Sequence, residues 1–470
     1  MFRTRSRAAG PAWPAGSSGP ASGQGWRPPQ RRFHPAQAVV AAYGVAIAAG
    51  TLLLALPVAR RGPGGAGLVD ALFTATSSVS LTGLATVDTG TYWTGFGQAV
   101  VLVLVQVGGL GIMTLTSVLA ILLARRLGVR ARLNLVAEVR NIGAGDVRRV
   151  LLGVAATSLV IEAVVSLVLT VRFAGGYDEP WPRALWLGVF HGVEAFNNGG
   201  LALYPDSLVR FATDPWILLP IDVAVILGGV GFPVLFQLRK DLRLPRLWTM
   251  NTRLVLAGTA GLLAVGTVLL TLQEWQNDRT LGPLGVGAKL LAGFTTAVMP
   301  RSGGFNVVDI GAMEPASWLV TDVLMFIGAG PAGTGGGIKV TTFLVLFFVI
   351  YAEARGEGSV NVFGKRLPRS VHRQATAVAL LSVAAVIVPT LVLLPLTHHS
   401  LDQTLFEVIS AFATVGLSTG ITADLPTAAH LILVALMFIG RLGPVTLASA
   451  LALRQRRQLY ELPKERPVIG

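Results

Sequence analysis

One short stretch of this sequence has residues that could bind an ion through its own backbone. It reads FATVGLSTG (412–420) and lies between two long apolar runs. Gly416 tolerates a positive φ angle, so successive carbonyl oxygens can point to one side, and it places no side chain in a lumen. Rings of carbonyl oxygens replace the water that a cation loses. The stretch therefore predicts cation selection by peptide oxygens.

The same pattern occurs four times in the chain. In each copy a phenylalanine precedes a glycine by ten residues, and a leucine or phenylalanine follows the glycine. The pairs are Phe73 and Gly83, Phe190 and Gly200, Phe294 and Gly304, and Phe406 and Gly416. Four copies in phase indicate a repeat. We predict that the phenylalanines pack in the core; the alternative for the glycines is that they only cap short helices.

Four predicted filter loops follow from this alignment, at residues 79–83, 196–200, 300–304 and 412–416. Short helices before them would direct their partly negative C-terminal ends to a shared axis, which favours a cation. The predicted filter residues, with K⁺ as the ion at their carbonyl oxygens, are Val79, Ser80, Leu81, Thr82, Gly83, Asn197, Asn198, Gly199, Gly200, Arg301, Ser302, Gly303, Gly304, Ala413, Thr414, Val415 and Gly416. Among these, Asn197, Asn198 and Arg301 are expected to brace the loops.

Composition places the loops in a membrane protein. The chain is 52% hydrophobic and 13% charged, with a mean hydropathy of +0.64 and no cysteine. Apolar segments long enough to span a bilayer lie near 38–57, 96–124, 150–171, 216–237, 253–272, 317–350, 372–396 and 429–453. Each predicted filter loop lies between an odd-numbered and an even-numbered segment, where a re-entrant stretch is tolerated inside protein.

The net charge of +14 is concentrated in basic clusters that follow the even-numbered segments, and in the N-terminal tail. This distribution is typical of cytoplasmic connections and predicts a multi-pass protein of the cytoplasmic membrane with both termini cytoplasmic. It argues against nucleic acid as the partner.

The predicted fold is an all-α polytopic membrane protein. Four helix, pore-loop, helix repeats surround one central pore, with eight transmembrane helices and four re-entrant pore helices. The predicted boundaries are a disordered basic tail (1–36), repeat 1 (37–124), repeat 2 (150–237), repeat 3 with a broken second helix (253–352), repeat 4 (372–453) and a C-terminal tail (454–470).

The second helices contain two further features. GGLGIMT (108–114), GGVGFPV (228–234) and GRLGPVT (440–446) align, and their glycines predict close packing, except that Arg441 replaces one of them. A buried arginine is expensive in a membrane and indicates a function, with a structural salt bridge as the alternative. In repeat 3, GAGPAGTGGGIK (328–339) has six glycines and a proline, so this span is predicted to be broken.

These motifs resemble the Trk/Ktr/HKT superfamily of potassium transporters. The resemblance rests on SSVSLTGLATVD (77–88), AFNNGGL (195–201), RSGGF (301–305), SAFATVGLS (410–418), GTGGGIK (333–339) and MFIGRLGP (437–444), and is nearest to the Ktr-type membrane subunit. It implies a homodimer regulated by a cytoplasmic ring of nucleotide-binding RCK subunits. It also implies that a Gly-rich intramembrane loop and an arginine below the filter gate the pore. The gating residues would be Arg441, Gly330, Gly333, Thr334, Gly335, Gly336, Gly337 and Lys339. Ala329, Pro331 and Ala332 depart from the usual Ser-rich form of this loop.

Potassium is the expected substrate, since sodium-selective members of the superfamily typically have serine where this chain has Gly83. A sodium or mixed-cation permease is the alternative. We expect membrane lipid as the surroundings, no covalently bound cofactor, and K⁺ as substrate, with Na⁺ as a coupling or activating ion left open, as is the choice between channel-like flux and symport. Glu162 and Asp222 are expected to face protein. An intramembrane enzyme that uses His191 and Glu194 has only an isolated HxxE spacing in its favour.

Overall fold

The computed structural model describes the backbone of residues 35–126 and 147–452, and the side chains of residues 40–111 and 151–443. Within these ranges the chain is mostly helical, and one short antiparallel hairpin, Asn361–Val362 with Lys365–Arg366, is present. The predicted tails (1–36 and 454–470) lie almost entirely outside the described residues, as does most of the basic connection between repeats 1 and 2.

Each repeat has a first helix, a short helix and a second helix. The first helices are Pro35–Leu54, Val147–Gly176, Met250–Glu274 and Arg369–Leu393. Short helices 1 to 4 are Leu68–Ser80, Trp181–Asn197, Val286–Val298 and Leu401–Ala413. The second helices are Gly95–Arg126, Pro215–Val230 with Phe232–Asp241, Pro315–Phe326 with Val340–Ala354, and Thr427–Ala452. The repeat predicted from the glycine spacing is therefore present as a repeat of helices.

The repeats are arranged in a closed cycle. The second helix of repeat 1 packs against short helix 2, that of repeat 2 against short helix 3, that of repeat 3 against short helix 4, and that of repeat 4 against short helix 1. Each short helix is thus held by its own first helix and by the preceding repeat. This arrangement brings the C-terminal ends of the four short helices together.

Among the described residues, three helices are long and apolar enough to cross a membrane: Leu151–Gly176, Met250–Glu274 and Arg369–Leu396. The helix pair of repeat 2, bent by 101°, is a fourth candidate, and the other predicted spans contain shorter apolar helices. The predicted break in the sixth span is confirmed, because helix stops at Phe326 and resumes at Val340.

The fourth predicted span, 216–237, is wrong as a continuous helix. Gly231 has φ 93° and ψ 149°, which ends the first half, and Pro233 lies in the first turn of the second half. Since proline has no N–H, it cannot continue the helical hydrogen bonds. Gly443, at the matching place in repeat 4, also leaves the helical conformation, with φ 64°. GGVGFPV and GRLGPVT both contain this glycine and a nearby proline.

The core surrounds the ends of the short helices. Phe73, Phe190 and Phe406 are fully buried, and Phe294 is half-buried against the same core, so the predicted packing role is confirmed. The hydroxyls of short helix 1 are buried with them. Ser78 and Ser80 donate to the carbonyl oxygens of Thr74 and Thr76, four residues earlier, which satisfies these two hydroxyls inside the core. The hydroxyls of Thr74, Thr76 and Ser77 have no such partner among the described residues.

Candidate ion pathway

The four predicted filter loops have one backbone pattern. The glycine has a positive φ in every loop, from 74° at Gly304 to 96° at Gly416. The residue two positions earlier also has a positive φ, although it is never glycine: Leu81 (56°), Asn198 (59°), Ser302 (72°) and Thr414 (50°). L residues rarely adopt this conformation, and four occurrences in register are a property of the fold. These four residues are among the predicted filter residues, but their positive φ is not predictable from the sequence, because no glycine marks the position.

The four glycines meet in a ring. A β-carbon on Gly83 would lie 2.5 Å from the Gly199 carbonyl oxygen, and one on Gly200 would lie 2.8 Å from the Gly304 Cα. A β-carbon on Gly304 would lie 2.5 Å from the Val415 carbonyl oxygen. A β-carbon on Gly416 would collide with the Thr82 carbonyl oxygen and lie 3.0 Å from the Gly83 Cα. The loops therefore follow one another around one axis in chain order.

We number the predicted filter loops 1 to 4 in chain order. In loops 1, 2 and 4 the short helix ends in the same way. The N–H of the residue before the glycine donates to the carbonyl oxygen five residues earlier: Thr82 to Ser77, Gly199 to Glu194 and Val415 to Ser410, at 2.8, 2.8 and 2.9 Å. Loop 3 differs, because the N–H groups of Gly303 and Gly304 both donate to Met299. Pro300 stands in this loop where the others have Val79, Phe196 and Phe412.

The glycines of the second helices pack against three of these loops. A β-carbon on Gly108, Gly228 or Gly440 would collide with the carbonyl oxygen of Val79, Phe196 or Phe412, respectively, each four residues before its filter glycine. A β-carbon on Gly109 would collide with the Asn197 side chain. The close packing predicted from the aligned motifs is present.

The Gly-rich stretch of repeat 3 forms a loop that is closed at its neck. Ile327 and Ile338 form a parallel bridge, and the Ile338 N–H donates to the Phe326 carbonyl oxygen at 3.1 Å. We call residues 328–339 the Gly-rich loop. Its backbone is held by the bent second helix of repeat 2: Gly330 N–H donates to Gly229 (2.8 Å) and Thr334 N–H to Gly228 (3.1 Å). Because the helix ends at the bend at Gly231, the carbonyl groups just before it are free to accept these hydrogen bonds from the loop.

The Gly-rich loop also touches three predicted filter loops, each at the non-glycine residue with positive φ. The Thr334 hydroxyl lies 3.0 Å from the Asn198 side-chain amide, and Gly336 N–H donates to the Ser302 hydroxyl at 3.0 Å. A β-carbon on Gly336 would collide with the Thr414 hydroxyl. In loop 1 the corresponding Leu81 lies beside Gly108 instead. The Gly-rich loop therefore lies directly against the ring.

Two basic side chains donate to backbone carbonyl oxygens of the Gly-rich loop. Arg441 is 3% exposed, and its Nη1 donates to the Thr334 carbonyl oxygen. Lys339 Nζ donates to the Gly335 carbonyl oxygen at 2.7 Å. Within residues 40–111 and 151–443 no ion pair to either side chain is present.

The three predicted bracing residues form different contacts. Asn197 donates to Gln106 and Glu162, both at 3.0 Å, and so connects loop 2 to helices of repeats 1 and 2. Asn198 and the Arg301 guanidinium both face the Gly-rich loop, and Arg301 donates to the Gly328 carbonyl oxygen at 3.2 Å. Glu162 and Asp222 are buried and face protein, as predicted; Asp222 accepts from Thr295 at 2.8 Å.

Two cavities lie on either side of the ring. One, of about 300 Å³, is lined by Gly83, Gly200, Gly304 and Gly416 and by the segments that follow them. The other, of about 310 Å³, is lined by the Gly-rich loop, by Arg441 and by the helix that begins at Arg369. A basic connection precedes that helix, so the second cavity is on the predicted cytoplasmic side. The ring and the Gly-rich loop lie between the two cavities.

The sequence matches a known protein family over most of its length. The profile of a family described as "TrkH: Cation transport protein" matches residues 26–458. The chain belongs to this family. The TrkH family consists of cation transporters and not of enzymes, so the alternative of an intramembrane enzyme is excluded. This TrkH-family protein is a multi-pass membrane protein.

Sequence similarity to known transport proteins covers nearly the whole of this chain. The Ktr system potassium uptake protein B of Bacillus subtilis is 37% identical over 421 residues, covering 90% of this chain and 94% of its own length. The protein of the same name from Vibrio alginolyticus is also 37% identical, with 89% and 91% covered. The potassium/sodium uptake protein NtpJ of Enterococcus hirae is 30% identical, with 94% and 98% covered.

The fold is shared with a solved structure. The potassium transporter TrkH from Vibrio parahaemolyticus superposes with a TM-score of 0.70 at 17% identity, over 90% of this TrkH-family chain and 86% of its own. The predicted all-α fold is therefore confirmed. The repeat boundaries, the roles of the filter and gate residues and the ions bound stay predictions.

Proposed function

We propose that this protein takes up potassium through a selectivity filter formed by residues 79–83, 196–200, 300–304 and 412–416. The observation that carries the proposal is the ring, in which four glycines more than a hundred residues apart abut one another in cyclic order. Backbone carbonyl oxygens of such a ring would replace the hydration shell of K⁺ without a side-chain charge in the lumen.

The surroundings of the ring also favour a cation. All four short helices end at the ring, so the partly negative C-terminal ends of their dipoles converge there. The cavity lined by the four ring glycines would supply hydrated ions, and Asp88, Thr86 and Asn306 are among the polar residues that line it. Both relatives named above at 37% identity are potassium uptake proteins.

The Gly-rich loop and Arg441 would form the gate. The loop lies between the ring and the lower cavity and contacts three of the four predicted filter loops. Arg441 anchors it through the Thr334 carbonyl oxygen and places a positive charge below the ring, where it would repel a cation. Opening would need release of these hydrogen bonds and withdrawal of the loop.

The proposed partners are a second copy of this chain and a cytoplasmic RCK-type ring that binds a nucleotide. Relatives that belong to Ktr systems support this assignment. Purified protein in native-like lipid should have the mass of a dimer, and adding the cytoplasmic ring should increase K⁺ flux in liposomes. A monomer that conducts fully without any partner would contradict it.

A mixed potassium and sodium permease is the second candidate, because the NtpJ relative is a potassium/sodium uptake protein. Uptake of ⁸⁶Rb⁺ into a strain that lacks its own potassium uptake systems, with K⁺ or Na⁺ as competitor, distinguishes the two. The proposal predicts strong competition by K⁺ and weak competition by Na⁺. Equal competition would favour the mixed permease, and no uptake at all would overturn both.

A further inference from the structure

We propose that the carboxylate of Glu194 sets the affinity of the filter for the permeating cation. This inference rests on the proposed function, because it needs a cation in the ring. It concerns a residue outside both the predicted filter and the predicted gate, and it gives one of the four loops a role that the others do not have.

Glu194 lies directly behind the backbone of loop 2. It is in the last turn of short helix 2, six residues before Gly200, and is fully buried. Its Oε2 accepts from the Leu201 N–H at 3.3 Å, and a β-carbon on Gly199 would collide with the same oxygen. The carboxylate therefore contacts the backbone on both sides of the ring glycine.

Few hydrogen-bond donors and no opposite charge among the described residues balance the negative charge of this carboxylate. Oε1 is buried without a hydrogen-bond partner, and no ion pair to Glu194 is present among residues 40–111 and 151–443. Arg301 and Arg441, the buried arginines near the ring, donate instead to carbonyl oxygens of the Gly-rich loop. A buried carboxylate needs opposite charge or several donors. A cation in the ring, on the other side of the Gly199 backbone, supplies that charge.

Other buried acidic residues do not share this position. Glu407 accepts from Ser418, from the Thr419 N–H at 3.2 Å and from Thr422 at 3.0 Å, all beyond the glycine of loop 4. Glu162 accepts from the side chains of Gln106 and Asn197. Only Glu194, among the described acidic residues, both touches the backbone next to a ring glycine and has an unpartnered oxygen.

The other three loops have no charge at the matching place. Six residues before the ring glycine they have Ser77, Val298 and Ser410. Ser410 accepts from the Gly416 N–H at 3.1 Å, so a neutral acceptor is enough to hold the loop backbone there. The charge of Glu194 therefore adds an attraction for the ion beyond what loop geometry requires.

The test is Glu194→Gln. Glutamine has nearly the same size and keeps an oxygen that accepts from Leu201, but it removes the charge. In ⁸⁶Rb⁺ uptake by whole cells with the full chain, we expect the half-saturating concentration to rise about tenfold while the maximal rate changes less than about twofold. The half-inhibiting Na⁺ concentration should rise by a similar factor, because a charge attracts both ions alike.

Two further variants keep the test decisive. Glu194→Asp retains the charge and should restore a half-saturating concentration near that of the natural protein. Glu274→Gln is the matched control, since Glu274 is equally buried but accepts from Asn277, Thr280 and the Glu314 N–H at the end of its helix. It should leave the half-saturating concentration unchanged.

An unchanged half-saturating concentration in Glu194→Gln would overturn the inference. A similar rise in Glu194→Asp would overturn it too, because geometry and not charge would then be the cause. Should Glu194→Gln fail to reach the membrane, Glu194→Ser takes its place, because loops 1 and 4 have serine at the matching position. The same rise is expected, and an unchanged half-saturating concentration would overturn the inference. The proposed function fails separately, if the natural protein takes up no ⁸⁶Rb⁺.

Discussion

Gly83 and Gly200 come from different repeats, yet a β-carbon on Gly83 would lie 3.1 Å from the Gly200 Cα. The same closeness links Gly200 to Gly304, and Gly416 to Gly83. A side chain at any of these positions would occupy the space of a neighbouring loop. The absence of side chains at the ring is thus required both by the backbone conformation and by the packing of one repeat on the next.

Replacing a ring glycine should strongly reduce transport without unfolding the protein. Gly416 has φ 96°, and a β-carbon there would collide with Thr82. We expect Gly416→Ala to reduce ⁸⁶Rb⁺ uptake by at least about tenfold, because the loops must move apart. Gly420→Ala is the control: Gly420 has φ 95° but open space around it, so the variant should cost only about 1–2 kcal/mol and retain uptake. Equal losses in both variants would refute the ring as the cause.

Removing the Arg441 charge should increase ion leak. Arg441 holds the Thr334 carbonyl oxygen, so Arg441→Gln weakens the anchor of the Gly-rich loop and removes the positive charge. We expect several-fold faster K⁺ flux in liposomes without the cytoplasmic partner. Arg183→Gln, at an exposed arginine paired with Glu179, should behave like the natural protein. Unchanged flux in Arg441→Gln would count against the gate.

Gly108 should be intolerant of a methyl group. A β-carbon at this position would collide with the Val79 carbonyl oxygen in loop 1. Gly108→Ala should therefore lower the free energy of unfolding in detergent by about 1–3 kcal/mol. Gly44 is also helical but has nothing within 4 Å of a β-carbon, so Gly44→Ala should be neutral or slightly stabilising. Thermal melts of the two variants compare these effects, and a lower melting temperature for Gly44→Ala alone would contradict the packing assignment.

A tyrosine outside the membrane should make stability depend on alkaline pH. Tyr177 follows the first helix of repeat 2 and donates to Asp214 at 2.9 Å. Burial, and then this hydrogen bond, raise its pKa from 10.0 to about 12. Because the folded pKa is the higher one, the stabilisation is complete below pH 10 and is lost as the pH rises towards 12.

Melting temperatures of the natural protein and Tyr177→Phe, compared between pH 9 and 12, test this effect. The difference should favour the natural protein at pH 9 and shrink as the pH rises. Tyr204, whose pKa burial also raises to about 12, is present in both proteins, so the effect of its own burial is common to both melting curves. A difference independent of pH would show that the Tyr177 proton has no role.

The sequence predicted the repeat because its signal is local. A glycine at fixed distance from a phenylalanine, between two apolar runs, is visible four times without any structure. The sixth span was likewise predicted to break, since six glycines and a proline cannot form a stable helix. Residue type alone sufficed in both cases.

Features that depend on contacts between repeats could not be predicted. The positive φ of Leu81, Ser302 and Thr414 is imposed on residues that do not favour it, so their type gives no signal. The bend at Gly231 is stabilised by N–H groups of the Gly-rich loop, about a hundred residues later in the chain, which donate to carbonyl oxygens just before the bend. The contact of Glu194 with loop 2 has no signal in the sequence either, because it depends on the folded turn.

The direct test of the filter is to locate the ion. A structure of the protein soaked with Tl⁺ or Rb⁺, with anomalous difference density, shows where the cation binds. We predict peaks on the axis enclosed by Gly83, Gly200, Gly304 and Gly416, at the level of the carbonyl oxygens of the four loops. Peaks elsewhere in the chain with none on this axis would contradict it.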